Sequence, residues 1–500
     1  MELERARAEY KRLQERVKAI NHAVSLLFFD GETAAPSNTA DNRIHALAVL
    51  NATNHRLKYG EETERLVDFL SEHADELTLI ERRSLEIIKR DAAKRKNIPR
   101  EKYVSYENLL VSAQDAWHRA IYDQNYGIFR PFLEEVFSRF RDLSTYNSAG
   151  LGPYDYYLDT YERGMNTEVY DGIMDGIKKE VIPLFREISE RPQPDDSCLK
   201  GDFSAEKQTE RANYIMRLLG LDLDHVSLST AEHPFSRSMG AHYDVRIVTK
   251  YSRRNFTISL YTLLFECAHA LCLTGQDDAI AYTFVDNSAS LGILGSQTYF
   301  YENGIGKSLP FIELIYPELK RLFPDTVGGY SPEDIYLAVN KVAAGPIRIG
   351  SDQLTSVLHL LIRYELEKAL MDQSLTVRDL PDAWAEKYRD YLGVEVTDPV
   401  QGVLQDMHWA HGSIGSFPTM VLGNCYSAII AREMQKDVDL IGAIKDGDFY
   451  SINHWNRENI WTKAGLYDTS EVIAGITDKP INSDAYVNYL KSKFASLYNL

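Results

Sequence analysis

The chain has 500 residues, 44% of them hydrophobic, and its 73 acidic against 55 basic side chains leave a formal charge of −18. That balance, with no basic stripe or polybasic tail, excludes a general nucleic-acid binder and a protein held on anionic lipid by charge. It reads as an acidic cytoplasmic protein with no nucleic-acid and no membrane partner, long enough for a large core. Four cysteines make no disulfide framework. The first apolar cluster, residues 23–29, is too short for a signal or membrane helix.

Leu13, Val17, Ile20, Val24 and Leu27 recur at helical spacing and predict a helix over 1–29, broken between Asp30 and Pro36. Helical patterns follow at about 40–57, 61–95, 101–123 and 127–144. The charged run 89–95 is expected as a solvated helix end. After a Gly/Pro/Tyr turn at 150–157 come helices at about 166–190 and 205–219. Segment 243–250 alternates and is β-branched, the best strand candidate in the chain. Helix patterns then resume at 256–274, 287–303, 309–322, 332–343, 352–372 and 380–390, and continue to Leu500. The expected fold is mainly α, with a small β-sheet beside a central helix. No boundary is sharp enough to cut the chain.

That central helix carries Phe265-Glu266-Cys267-Ala268-His269 in a nearly all-apolar run. With a histidine at position 265 it would read His-Glu-x-x-His. In that motif two imidazoles share one helix face and bind zinc, and the glutamate serves as general base. Here the first ligand is a phenylalanine. A Glu and a His three apart on a helix also form ordinary buried hydrogen-bonded pairs. Because this helix is apolar nearly all round, both groups must find partners inside the protein or face a cleft.

Segments on either side of this helix supply further motifs. They are His233-Pro234-Phe235, Asp244-Val245-Arg246-Ile247-Val248, Gly402-Val403-Leu404-Gln405-Asp406-Met407-His408-Trp409, and His411-Gly412-Ser413 with Gly415 and Phe417-Pro418-Thr419. Arg363-Tyr364-Glu365-Leu366-Glu367-Lys368-Ala369-Leu370 and Asp30-x-Glu32-Thr33-x-x-Pro36 belong to the same set. Together, with several in the family's order along the chain, they resemble the carboxypeptidase Taq family of zinc metallocarboxypeptidases, from about Phe29 to the C-terminus. The resemblance implies one helical domain over 1–500 with a long cleft, a homodimer, and an exopeptidase that holds a peptide C-terminus. It implies that Arg348 and the segment Gln405 to Trp409, His408 included, help hold the peptide. Arg246 is a further candidate for substrate binding. Each of these groups could equally make a structural salt bridge, to a carboxylate such as Asp244 or Asp352.

The departures from the family pattern cluster at the chemistry. The family's first zinc ligand falls on Phe265 and its third, a glutamate, on Gly295 in Leu294-Gly295-Ser296-Gln297-Thr298-Tyr299. Two expected tyrosines are Ser416 and Met420. Only Glu266, the catalytic candidate, and His269, the metal-ligand candidate, remain, so no bound cofactor is expected. A catalytic zinc needs about three protein ligands and an open position. Without it the pKa of the attacking water returns from about 7 to about 15.7. That makes hydroxide harder to form by roughly 12 kcal/mol. A general base typically contributes about 10²–10⁴-fold and does not close the gap. The expected protein is therefore a non-hydrolytic relative that keeps peptide binding. The alternatives are an active metallocarboxypeptidase whose metal site is rebuilt with Asp277, Asp278 or His242, and a scaffold whose cleft is closed by side chains such as Phe265.

Overall fold

The computed structural model describes residues 2–148, 150–286 and 288–500, and the side chains of Ser37, Arg95 and Lys96 also lie outside the description. The far end of the charged run 89–95 and the first residue expected of helix 287–303 fall among these.

Two compact units each gather three separate stretches of chain. The first comprises Met1–Ala92, Asp196–Val339 and Ala431–Asp478, and the second Ala93–Asp195, Asn340–Ile430 and Lys479–Leu500.

In the first unit the N-terminal helix runs Leu3–Thr33, straight through the expected break. Gly31 lies within it where a Cβ would stand 2.5 Å from the Arg43 side chain, which crosses over it. The chain leaves the helix just before Pro36, which disfavours helical geometry in its predecessor. Ala6, Tyr10, Leu13 and Val17 line one face and bury against Leu66, Leu70, Leu85 and Ile88. The pattern read as one helix over 61–95 is two, Glu61–Glu72 and Leu79–Lys96. The second of them starts at a capping box at Thr78. Its backbone N–H donates to Glu81 Oε2 at 2.8 Å, and the Glu81 N–H donates back to Thr78 Oγ1 at 3.3 Å.

Three strands precede the central helix where one was expected: β1 (Val226–Thr230), β2 (Phe235–Met239) and β3 (Ala241–Thr249). Their order is β1-β3-β2, with β1 parallel and β2 antiparallel to β3. The central helix, Phe256–Thr274, begins at Asn255, whose side chain accepts the Thr257 N–H. By length and apolarity alone it could cross a membrane, yet 67% of that stretch is buried inside the protein, as befits a core helix. After it, Ser290 caps a helix over Leu291–Tyr299, and a π-helical turn spans Phe300–Ile305. Cys198, Cys267, Cys272 and Cys425 are all buried.

The second unit is helical, and its helix Gln353–Met371 is buried along most of its length. Asp352 caps it, accepting the N–H groups of Leu354 at 2.9 Å and Thr355 at 3.0 Å.

Candidate functional site

In the first unit the site forms where β2 meets the central helix. Ser236 Oγ lies 2.7 Å from Nδ1 of His269. Burial holds the imidazole neutral, lowering its pKa to about 4. Burial pushes the Glu266 carboxyl up to about 7, against a smaller opposing pull from a hydrogen bond with Ser236. One hydroxyl thus serves both polar groups of the helix. If it donates to Glu266, Nδ1 of His269 must carry the proton and donate to Ser236, and Nε2 then keeps the lone pair. Ser236 was not singled out from sequence, although it directly follows the His-Pro-Phe motif.

One turn before His269, the ring of Phe265 packs edge-on against Tyr299, with centroids 6.1 Å apart and planes at 73°. Gly295 lies in the helix that carries Tyr299 and offers no donor. The proposed substitute ligands are engaged elsewhere. Asp277 accepts the Ala279 N–H at 2.8 Å. His242 is buried between Asp278 and Asp286, each 3.4 Å away. Burial opposes its imidazolium, but the two carboxylates outweigh that and raise its pKa. Among the described residues, no group of three or more His, Cys, Asp and Glu side chains could hold a metal ion. The residues present therefore do not fit a zinc centre.

Arg246, on β3, is committed to Asp244 through a fork of 2.5 and 2.8 Å. This is the structural salt bridge named as its alternative role.

The second unit holds Arg348 and His408 in a separate cluster. Arg348 donates to Asp406, from Nη2 at 2.7 Å and Nε at 3.1 Å, and its backbone N–H donates to Gln405 Oε1 at 2.9 Å. Asp352, considered as its partner, is the helix cap instead. Arg363, fully buried, donates to the other Asp406 oxygen at 2.6 Å and to Gln405 Oε1 at 2.8 Å, and lies 4.8 Å over the Trp384 ring. Burial alone would raise the Asp406 carboxyl, but Arg363 and Arg348 hold it well below the usual carboxylate range. His408 packs 4.4 Å from Phe417, and burial lowers its pKa to about 4, leaving it neutral. Its Nδ1 has no hydrogen-bond partner among the described residues and is 3.9 Å from Asp406. Two guanidinium groups thus share one carboxylate. Arg363 appeared in a quoted motif but not as a site residue. Its position directly after the apolar run Leu360-Leu361-Ile362 is the signal that could have marked it as buried and paired.

One turn on, the buried Glu367 accepts three hydrogen bonds, from Tyr154 at 2.8 Å, Trp409 Nε1 at 2.7 Å and the Gly415 N–H at 2.6 Å. Burial still raises its carboxyl to about 7. Ser416 and Met420 stand where two tyrosines were expected, and the Ser416 hydroxyl turns back to the Ser413 carbonyl at 2.7 Å.

Comparison with known proteins gives a single answer along the whole chain. The sequence model of the carboxypeptidase Taq (M32) metallopeptidase family matches residues 9–494. Carboxypeptidase 1 of Bacillus subtilis is 32% identical over 502 residues, covering 100% of both chains. Thermostable carboxypeptidase 1 of Pyrococcus furiosus is 31% identical over 483 residues, 96% of each. Among solved structures, the M32 carboxypeptidase of Deinococcus radiodurans superposes with a TM-score of 0.96 at 28% identity, covering 99% of this chain and 100% of that one. A Pyrococcus furiosus carboxypeptidase gives 0.92 at 30% identity, with 98% and 99% covered. On sequence and fold together, this chain belongs to the carboxypeptidase Taq family of metallopeptidases.

Proposed function

We propose that this member of the family binds the C-terminal end of a peptide and does not hydrolyse it with zinc. The observation that carries the reading is the central helix itself. Of the three positions where the family resemblance places ligands, only His269 has a donor side chain, and Phe265 is packed against Tyr299 instead. The binding half rests on the cluster in the second unit. Arg348 and Arg363 share Asp406 and leave one positive charge uncompensated, which suits a carboxylate.

An active enzyme with a different metal site is the second reading, and Glu266 favours it. A carboxyl near 7 is well placed as a general base. Without a metal, however, the roughly 12 kcal/mol cost of forming hydroxide remains. The cytoplasmic location, the homodimer and the absence of nucleic-acid and membrane partners go with the leading proposal.

Two measurements test it. Metal analysis of protein purified without chelator is expected to find no stoichiometric zinc, cobalt or manganese. Finding one, together with chelator-sensitive release of C-terminal residues, overturns the non-hydrolytic half. Calorimetry with short peptides is expected to show heat for free carboxyl termini and none for their amides. No heat for either overturns the binding half.

A further inference from the structure

The sheet has two edges. β2, with Ser236 against His269, is the edge beside the site, and β1 is the other. In the parallel ladder the Val245 N–H donates to the His225 carbonyl at 3.0 Å, and the Ala231 N–H to the Thr249 carbonyl at 3.1 Å. The register pairs Val226 with Val245 and Thr230 with Thr249. Backbone groups alternate along a strand, so the odd-numbered residues of β1 bond to β3. The N–H and C=O groups of Leu228 and Thr230 and the C=O of Val226 therefore face away from the sheet. The Val226 N–H is taken by the Asp222 carbonyl at 2.9 Å.

A groove of about 400 Å³ runs along this edge, walled by Thr209, Asn213 and Met216 on one face of the helix Ala205–Leu218 and by Leu223 and Tyr251. Among the described residues, no charged side chain lines it. Open edges are normally blunted by lysine, proline or a bulge, because they template pairing with another chain. Val226-Ser227-Leu228-Ser229-Thr230 has no lysine and no proline.

We infer that the β1 edge receives an extended, uncharged segment of another polypeptide as a fourth strand of the sheet. The outward groups repeat at every second residue, as an incoming strand requires, and supply its main-chain hydrogen bonds. The groove takes the side chains on one face of that strand. Its hydroxyl and amide lining, with Leu223 and Met216, suits small polar and β-branched residues. A terminal carboxylate plays no part, so this site is independent of the proposed binding of peptide C-termini.

The test uses the full chain and a fluorescent hexapeptide of alternating threonine and valine, acetylated and amidated so that no terminal carboxylate contributes. Fluorescence anisotropy is expected to show binding. N-methylation of alternate amides in the register that faces β1 is expected to weaken it by about tenfold or more. Leu228→Pro removes one outward N–H without touching the ladder and is expected to have the same effect. Thr209→Lys, which places a charge in the groove, serves as a second variant if the proline disturbs folding. Absence of binding at millimolar peptide overturns the inference, as does binding unmoved by N-methylation. A concentration-dependent dimer abolished by Leu228→Pro would give the edge to a second copy of the chain and also overturn it.

Discussion

Ser236 Oγ and His269 Nδ1, 2.7 Å apart, tie the outer strand of the sheet to the central helix. Ser236→Ala would leave the buried Nδ1 without its partner and cost about 1–3 kcal/mol of stability. Because the serine bond lowers the Glu266 pKa, its loss is expected to raise that value further above about 7. Chemical denaturation and a carboxyl titration by infrared spectroscopy check the two effects separately.

Glu266→Gln probes the pH dependence of the same site. The carboxyl is raised from 4.5 to about 7, so its contribution is fully present below pH 4.5 and is lost as pH rises through 7. His269 works in the other direction. Lowered from 6.5 to about 4, it stabilises the fold above pH 6.5, and that contribution is lost as pH falls through 4. Between pH 4.5 and 6.5 the two therefore oppose each other. The glutamine variant removes one side. It is expected to match the parent in acid and to gain on it above neutrality, by at most about 3 kcal/mol. Denaturation midpoints measured from pH 4 to 9 would contradict this if the two curves stayed parallel.

Restoring the missing donors tests descent directly. Phe265→His with Gly295→Glu places three family ligands on the two helices that carried Phe265 and Tyr299 into contact. The double variant is expected to take up zinc, seen as metal retained through gel filtration and as a gain in thermal stability. Failure to bind zinc while still folding would mean that the helices have moved from the family's spacing.

Arg363→Lys keeps the charge but loses the fork. Asp406 and Gln405 would each lose a donor at a fully buried site. The expected cost is about 3–5 kcal/mol, well beyond that of a surface arginine. Trp409→Phe, which deletes one of three donors to Glu367, is expected to cost about 1–3 kcal/mol. A loss below a few tenths in either variant would show that the network rearranges.

The central helix was legible from its first residue to its last, because its long apolar run contains no glycine or proline to interrupt it. The two flanking strands were not. Val226–Thr230 and Phe235–Met239 are short and serine-rich, and they become strands only because β3 lies between them to pair with. The split at Thr78 was visible in principle, since Thr78-x-x-Glu81 is a capping signature, but the helical charge pattern ran across it. In the second unit, sequence singled out Arg348 and His408 as binding candidates but not the carboxylate that holds Arg348. Asp352 is nearer in sequence, yet Asp406, 58 residues away, is the partner. Long-range pairing of this kind leaves no local trace.

The four buried thiols have a practical consequence. Burial pushes Cys272 and Cys425 up to about 12 and Cys267 well above its ordinary value. A thiolate is the reactive form, so none of these three should be alkylated while the fold is closed. Two of them sit on the central helix itself. The native chain thus carries its own reporter of opening, and the rate at which a maleimide enters reads how often that helix is laid bare.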